Sequence, residues 1–551
     1  MVITRLFAFC QLPIRHISSW SIMSSLFLLA LIGPFIALIF VALGDSEGLW
    51  LHLMNTVFPR YVLNTTILML GVSLLTLFFG IVTAWITARF NFPGSKILNW
   101  ALLLPATVPS YIIAYTYTDL LEFAGPIQIF MREAFGWRSA RDYWFPEIRS
   151  MGGAILVMSS VLYPYIYLMA RTAFRLTPAS FFEVALLKKP TSPLLLDLSL
   201  ARPAIVAGLA LVLMEVLSDF GTVEFFAIET LTLGIFNIWL GMNNLTAAAQ
   251  IAGIAFIFIL ALLFIEITAR KRQKFDSTNP RSSAVKSKNL TGGRSVLCLT
   301  ICLIPLLLGF ITPVAVLSNF VFQGFAITNL DLLISASINS ISIALSASFI
   351  VVIIATVLVL FTTYHYEKHP IIKLLSTVSA MGYAFPGAIL AIGVVGFAGA
   401  IDSALKTIQE EIIFFTFDGF LIGSVGLLIF ACVLRFQAIG HGAITSGINR
   451  LSPNIMNASY ILGRSFSNSM TLLAPPLLKK SMLAGGLLVF VDVMKELPMT
   501  LLLRPFNFET LSTYVYQFAK DEMLEQSAFA ALSIIFVGLG PVIIMSNSQK
   551  H

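Results

Sequence analysis

Apolar residues gather in about twelve long runs separated by short polar stretches, near 24–43, 64–88, 97–121, 151–170, 204–226, 247–268, 296–318, 338–362, 374–400, 419–436, 482–503 and 526–545. Each approaches the ~20 residues that a helix needs to cross the hydrocarbon of a bilayer. Lipid offers backbone amides no partners, so spans of this length must be helices. The pattern predicts an all-α polytopic membrane protein. Pro105 and Pro109 fall inside the third run and predict a kink there. The stretch FNFPGSK after Arg89 reads as a tight turn with Pro93-Gly94 at its bend.

Five polar stretches carry most of the remaining information. Residues 123–150 hold Arg132, Glu133, Arg138, Arg141, Asp142, Glu147 and Arg149 among Trp and Phe. They read as an interfacial helix anchored by Trp137 and Trp144, or as a contact for an external protein. In 171–203, Thr177-Pro178 reads as an N-cap followed by Pro at the first helical position. Ser452-Pro453 repeats that signal 275 residues later. Residues 269–295 are rich in Lys, Arg and Ser with a Gly pair, and read as a flexible tether. His365 and His369 lie in a short polar turn without partner ligands.

The tether divides the chain into 1–270, 271–295 and 296–551, with six predicted spans on each side. The flanking parts align. Pro109 matches Pro386, Ala207-Gly208 matches Ala484-Gly485, and Glu215 with Asp219 matches Asp492 with Glu496, all at an offset of 277. Six is an even number, so the repeat is parallel, about an axis along the membrane normal, with a path expected between the parts.

Composition fixes orientation. The chain is 58% hydrophobic and 11% charged, with 34 Lys and Arg against 27 Asp and Glu. With the N-terminus inside, the alternating sides put most of the basic residues on inner segments. Only Glu183, Asp197, Glu266, Asp276 and Glu367 join them among the acids. The basic excess therefore reports orientation, not nucleic acid, and places both termini in the cytoplasm. Cys10, Cys298, Cys302 and Cys432 show no zinc-site spacing and read as packing residues. The first run is too long for a signal peptide and reads as a retained span.

The fifth and eleventh runs contain Glu215, Asp219, Asp492 and Glu496, each pair four apart and on one helix face. They lie roughly 15–22 Å in from the inner end. A carboxylate at that depth costs about 2.5–3.5 kcal/mol on insertion scales. They read as a candidate translocation path or gate, or as caps of broken helices before Gly221 and Pro498 with Lys495 or Arg504 as counter-charges. Oxygen ligands of this kind suit a hard cation such as ferric iron. No metal site is firmly assigned. Tyr111, Tyr115, Tyr117, Tyr163, Tyr165 and Tyr167 read as path-lining or as interfacial anchors.

The stretch NASYILGRSFSNSMTLLAPP (457–476) is too polar to cross a bilayer yet lies between runs that cross it. It resembles the cytoplasmic coupling motif of ABC-importer permeases. Asn457, Ala458 and Ser459 take its first three places, Gly463 its Gly place, and Leu473 and Pro476 fall by its closing pair. Residues 162–174, 200–226 and 492–519 extend the likeness to fused two-half ferric iron permeases of bacterial inner membranes. The resemblance implies a type I importer fold with coupling segments at about 178–200 and 453–475. It also implies two separate ATP-binding subunits and a periplasmic binding protein. Glu183, Val184 and Ala185 carry the first coupling motif. Lys189 stands in its Gly place, and the segment is about four residues short before Ala201-Arg202-Pro203. Asn457 replaces Glu in the second motif.

The chain lacks GxxxxGK[ST], so ATP would bind elsewhere. The reading is a non-enzymatic subunit with no catalytic residues and no cofactor of its own, importing ferric iron by alternating access. Alternatives are thiamine, a polyamine, an inorganic anion or a phosphonate as cargo. A secondary transporter driven by protons or sodium would also explain intramembrane acids, but not two surface segments. A membrane-bound enzyme lacks a clustered His/Asp/Glu set.

Overall fold

The computed structural model describes residues 19–177, 193–271, 285, 287–323, 330–364, 376, 378–379, 381–412, 421–452 and 454–548. It is almost wholly helical, as the apolar runs dictate. Before the tether come α1 (Ser19–Ala42), α2 (Phe58–Arg89), α3 (Ser110–Leu121), α4 (Pro126–Phe135), α5 (Met151–Leu176), α6 (Pro193–Ser218), α7 (Gly221–Phe225), α8 (Leu231–Phe236) and α9 (Leu245–Lys271). After it come α10 (Gly293–Leu306), α11 (Leu330–Tyr364), α12 (Gly387–Ile412), α13 (Val425–Ile448), α14 (Asn454–Ile461), α15 (Ala474–Met494), α16 (Pro498–Leu503), α17 (Leu511–Lys520) and α18 (Leu524–Ser548).

Among the described residues, nine helices are long and apolar enough to cross a membrane, or ten with one bent pair. The expectation of twelve differs for physical reasons. The third run is no single kinked helix: it breaks at the Pro109 junction, and its two arms meet at 91°. The eleventh run is divided between α15 and α16 by the break after Met494, and neither piece alone is long and apolar enough. The sixth run lies in α9, which extends to Lys271 and stays apolar through Ile265, with side chains described continuously only as far as Ala261.

The first span of each side packs on the other side. α1 lies along α12, where Gly33 faces the Phe397 ring and Gly393 faces the Pro34 carbonyl. A Cβ on Gly393 would sit 2.5 Å from that oxygen. Reciprocally, Gly309, in the wider turn Leu307–Ile311 that continues α10, abuts the Ser160 carbonyl of α5. Small residues let membrane helices approach this closely, which packing between helices in lipid requires.

Smaller contacts also recur in pairs. Asn64 donates to the Glu229 carbonyl (3.0 Å), and the Thr65 hydroxyl accepts from Leu231 N (3.0 Å). Asn339 donates to the Glu509 carbonyl (2.9 Å), and Ser340 accepts from Leu511 N (2.7 Å). Thr230 and Thr510 then cap α8 and α17 with their side chains.

The far end of the tether is not loose. Lys288–Asn289 (β2) pairs in parallel with Phe90–Asn91 (β1), directly after α2, and α10 begins at Gly293. Beside that bridge, the Arg89 guanidinium is ion-paired to the buried Asp197 carboxylate, which also accepts from Trp85 Nε1. Arg89 thereby fixes the base of α6 to the end of α2. Cys302 and Cys432 are buried, and Cys298 is half-buried.

Candidate functional site

Four of the spans break where they meet. α6 ends at Ser218 and resumes as α7, and α15 ends at Met494 and resumes as α16. Pro109 precedes α3, and Pro386 precedes α12. The breaks surround a cavity of about 140 Å³ between the two sides of the chain. That is room for several waters or a partly hydrated ion. Glu215, Asp219, Asp492 and Glu496 all line it, together with Tyr165, Tyr383, Arg435 and Lys495.

The acids divide by partner. Asp219 caps α7: it accepts from Thr222 N (2.8 Å), Thr222 Oγ1 (2.9 Å) and the Ser110 hydroxyl. Glu496 caps α16, accepting from Met499 N at 3.1 Å, and pairs with Arg435 Nη1 at 3.0 Å. Gly387 stands where Ser110 stands in the first part. A Cβ there would lie 2.3 Å from Arg435 Nη1, so the missing side chain is what admits the guanidinium.

The other two acids are less bound. Glu215 accepts one hydrogen bond from the Tyr383 hydroxyl at 2.6 Å. Asp492 sits 3.3 Å from Lys495 Nζ. Arg504, a counter-charge candidate in the sequence, pairs with Glu509 instead. Four carboxylates thus face two cations, and both cations come from the second part of the chain.

Arg435 is the cavity residue that the hydropathy pattern conceals. Arg435, Gln437 and His441 lower the hydropathy of the tenth run, which ends it at 436 and puts the Arg at a membrane edge. The helix continues to Ile448, so Arg435 is mid-span. A charge inside an otherwise apolar helix was the available signal. Of the tyrosines, Tyr111 and Tyr165 line the cavity. Tyr117 donates to Leu308 O (2.9 Å) and Tyr167 to Asn99 O (3.1 Å) inside the bundle, which excludes an interfacial role for both.

The second surface segment is the short helix α14, a turn at Gly463, and a helical stretch that runs into α15. Gly463 has φ +79°, and Arg464 N bonds back to Ser459 O at 3.1 Å, closing a left-handed C-terminal cap. Asn457 and Ala458 are exposed, whereas Ser459 is buried against the Ser469 hydroxyl at 2.8 Å. Ile461 and Leu462 project outward, 86% and 81% exposed. Trp20 at the start of α1 donates to Ser467 (3.2 Å), so α1 begins beside this ledge. Glu183, Val184, Ala185 and Lys189 lie outside the described residues, as do His365 and His369. Thr177 donates its hydroxyl back to Ala173 O at 3.0 Å.

In the polar stretch 123–150, Trp137 is stacked between Phe135 (4.8 Å) and Tyr143 (4.7 Å). It is half-buried in that stack, while Trp144 is 86% exposed. Asp142 accepts from Arg138 N and Ser139 N, each at 2.8 Å. Those backbone bonds hold its carboxyl below the usual carboxylate range.

No family model matches the chain. It is 25% identical over 493 residues to an Fe(3+)-transport system permease protein of Haemophilus influenzae, FbpB 2, covering 88% of this chain and 89% of that protein. It is also 30% identical over 105 residues to a probable sulfate transport system permease protein, cysT, of Chlorokybus atmophyticus, covering 18% of this chain and 37% of that protein. Both relatives are transport permeases, and the first likeness runs through both sides of the tether.

Proposed function

We infer that this chain, a relative of ABC-importer permeases along nearly its whole length, is the multi-pass membrane subunit of an ATP-driven importer of ferric iron in a bacterial inner membrane. Residues 1–270 and 296–551 are its two parallel halves, and both termini face the cytoplasm. A periplasmic binding protein delivers the cargo at the opposite face. Two ATP-binding subunits dock at about 178–200 and 453–475, through Glu183, Val184 and Ala185 on one side and Asn457, Ala458, Ser459 and Gly463 on the other.

The observation that carries this reading is the cavity between the halves. Its carboxylates outnumber its cations two to one, so it favours a cation over an inorganic anion. Its size suits a metal ion with a few waters better than an organic cation. Glu215 and Asp492, with one partner each, are the oxygen donors nearest to being free, and Tyr165 and Tyr383 add hydroxyls beside them. Hard, highly charged cations prefer such oxygen ligands. Asp219 and Glu496 hold the helix breaks that aim the other two. Closure of the ATPases would draw the ledges together and tilt the halves, exposing the cavity to each face in turn.

The test is uptake of labelled ferric iron into proteoliposomes containing the whole complex. E215Q and D492N should each reduce uptake at least about tenfold while the purified protein melts normally. Undiminished uptake in both variants, or uptake of sulfate or thiamine in preference to iron, would overturn the reading.

A further inference from the structure

We propose that a two-layer seal closes the cavity at the end remote from the tether, and that a reciprocal set of ion pairs across the halves is its latch. The inner layer is aromatic. Tyr111, on the cavity wall, is 5.9 Å from Tyr115, whose ring meets Phe225 edge-on at 4.5 Å. From the other half, Tyr516 of α17 reaches Phe220 at 5.9 Å. Tyr111 and Phe220 line the cavity beside Asp219, and Tyr115, Phe225 and Tyr516 extend the ring cluster along α3, α7 and α17. Gly221 adds a close approach: a Cβ there would lie 3.0 Å from Leu497 of the opposite half.

The outer layer is ionic and runs both ways. Arg149 of the first half pairs with Glu522 of the second at 3.1 Å, and also with Glu122 of its own half at 2.5 Å. Lys520 of the second half pairs with Glu224 of the first at 3.1 Å. The Arg149 guanidinium lies 4.8 Å above the Phe225 ring, which joins the two layers into one unit. Each half thus supplies one cation to an acid of the other.

Strength is the reason to regard this as a latch and not a weld. Arg149 and Glu522 are 32% and 73% exposed, and Lys520 is 60% exposed. Exposed pairs of this kind shift an equilibrium by no more than about fivefold apiece. Their sum is small enough for a docking partner or an ATP-driven tilt to reverse. The apolar crossings of α1 on α12 and of α10 on α5 hold the halves together when it opens.

The experiment measures the distance across the seam by spin labels at L240C and F506C, both exposed positions on opposite halves, with the native cysteines replaced by serine. It needs neither ATPase nor cargo, so it stands whether or not the importer reading does. In the parent, a single narrow distance distribution is expected. R149E/K520E should lengthen and broaden it, and the full swap R149E/E122K/E522K/K520E/E224K, which also reverses the Glu122 partner of Arg149, should return it to the parent value. In parallel, raising the parent protein to about 1 M salt, where the Debye length is about 3 Å, should shift it in the same direction as the reversal. This keeps the test decisive if the reversed variant fails to fold. A distance unmoved by both reversal and salt would overturn the proposal, as would a full swap that folds but stays open.

Discussion

Removing Arg435 should destabilise the protein far more than removing Arg435 and its partner together. Arg435 and Glu496 are each 6% exposed and lie 3.0 Å apart, inside the bundle. At an effective dielectric near 20, unit charges about 3 Å apart attract by roughly 5–6 kcal/mol before desolvation is subtracted. In R435M the attraction vanishes, but Glu496 stays buried with one backbone partner. Stranding a buried charge in this way costs about 3–5 kcal/mol. In R435M/E496Q neither member of the pair is charged, the amide oxygen of the substituted side chain still caps α16 through Met499 N, and the loss should fall to about 1–2 kcal/mol. The assay is a denaturation titration of detergent-purified protein followed by tryptophan fluorescence, with folded fraction checked by gel filtration. D219N supplies the control, because Asp219 has the same place in the repeat but hydroxyl and amide partners only. It should cost no more than about 2 kcal/mol. The reasoning fails if R435M loses less than D219N, or if adding E496Q to R435M recovers nothing.

Gly387→Ala should lose about 1–3 kcal/mol by overpacking against the guanidinium, and the loss should nearly disappear in an R435M background; additive losses in the same titration would count against the contact. I461D/L462D should abolish co-purification of the ATPase, and disruption of 457–463 should cost more coupled ATPase activity than disruption of 183–189; equal losses would favour equivalent docking sites. The turn at Asp142 should loosen on acidification. Its folded carboxyl titrates below the unfolded value of about 3.9, so its contribution is complete above that value and lost as pH falls through the folded one. Hydrogen exchange at the Arg138 and Ser139 amides, compared between the parent and D142N across that range, reads this directly. D142N should exchange fast at every pH.

The hydrophobic runs revealed nearly every crossing helix, because lipid leaves a long apolar segment no other conformation. They did not reveal where spans break. Pro109 marked a kink, but neither the 91° bend nor the contact of Ser110 with Asp219 on a distant helix could be read from it. The four acids were visible as pairs on helix faces in repeated positions. Their division into caps and cavity donors was not, since it depends on Ser110, Tyr383 and Arg435, whose approach is a property of the packing. Arg435 itself was hidden by the same averaging that located the spans. A charge lowers the hydropathy of its window and so looks like the end of a run. The Asn64-Thr65 and Asn339-Ser340 pairs, repeated to the atom, are short enough to be invisible until their shared partners are seen.

Both cations of the cavity, Arg435 and Lys495, follow the tether, and neither has a counterpart before it. Two copies of the leading half, assembled as a symmetric dimer, would gather four carboxylates with no counter-charge. Two copies of the trailing half would give a vestibule with no net charge at all. Only the mixed pairing leaves a moderate negative excess. Covalent fusion guarantees that stoichiometry in every molecule, so the basic connector does more than keep two bundles near each other: it sets the electrical character of the cavity between them.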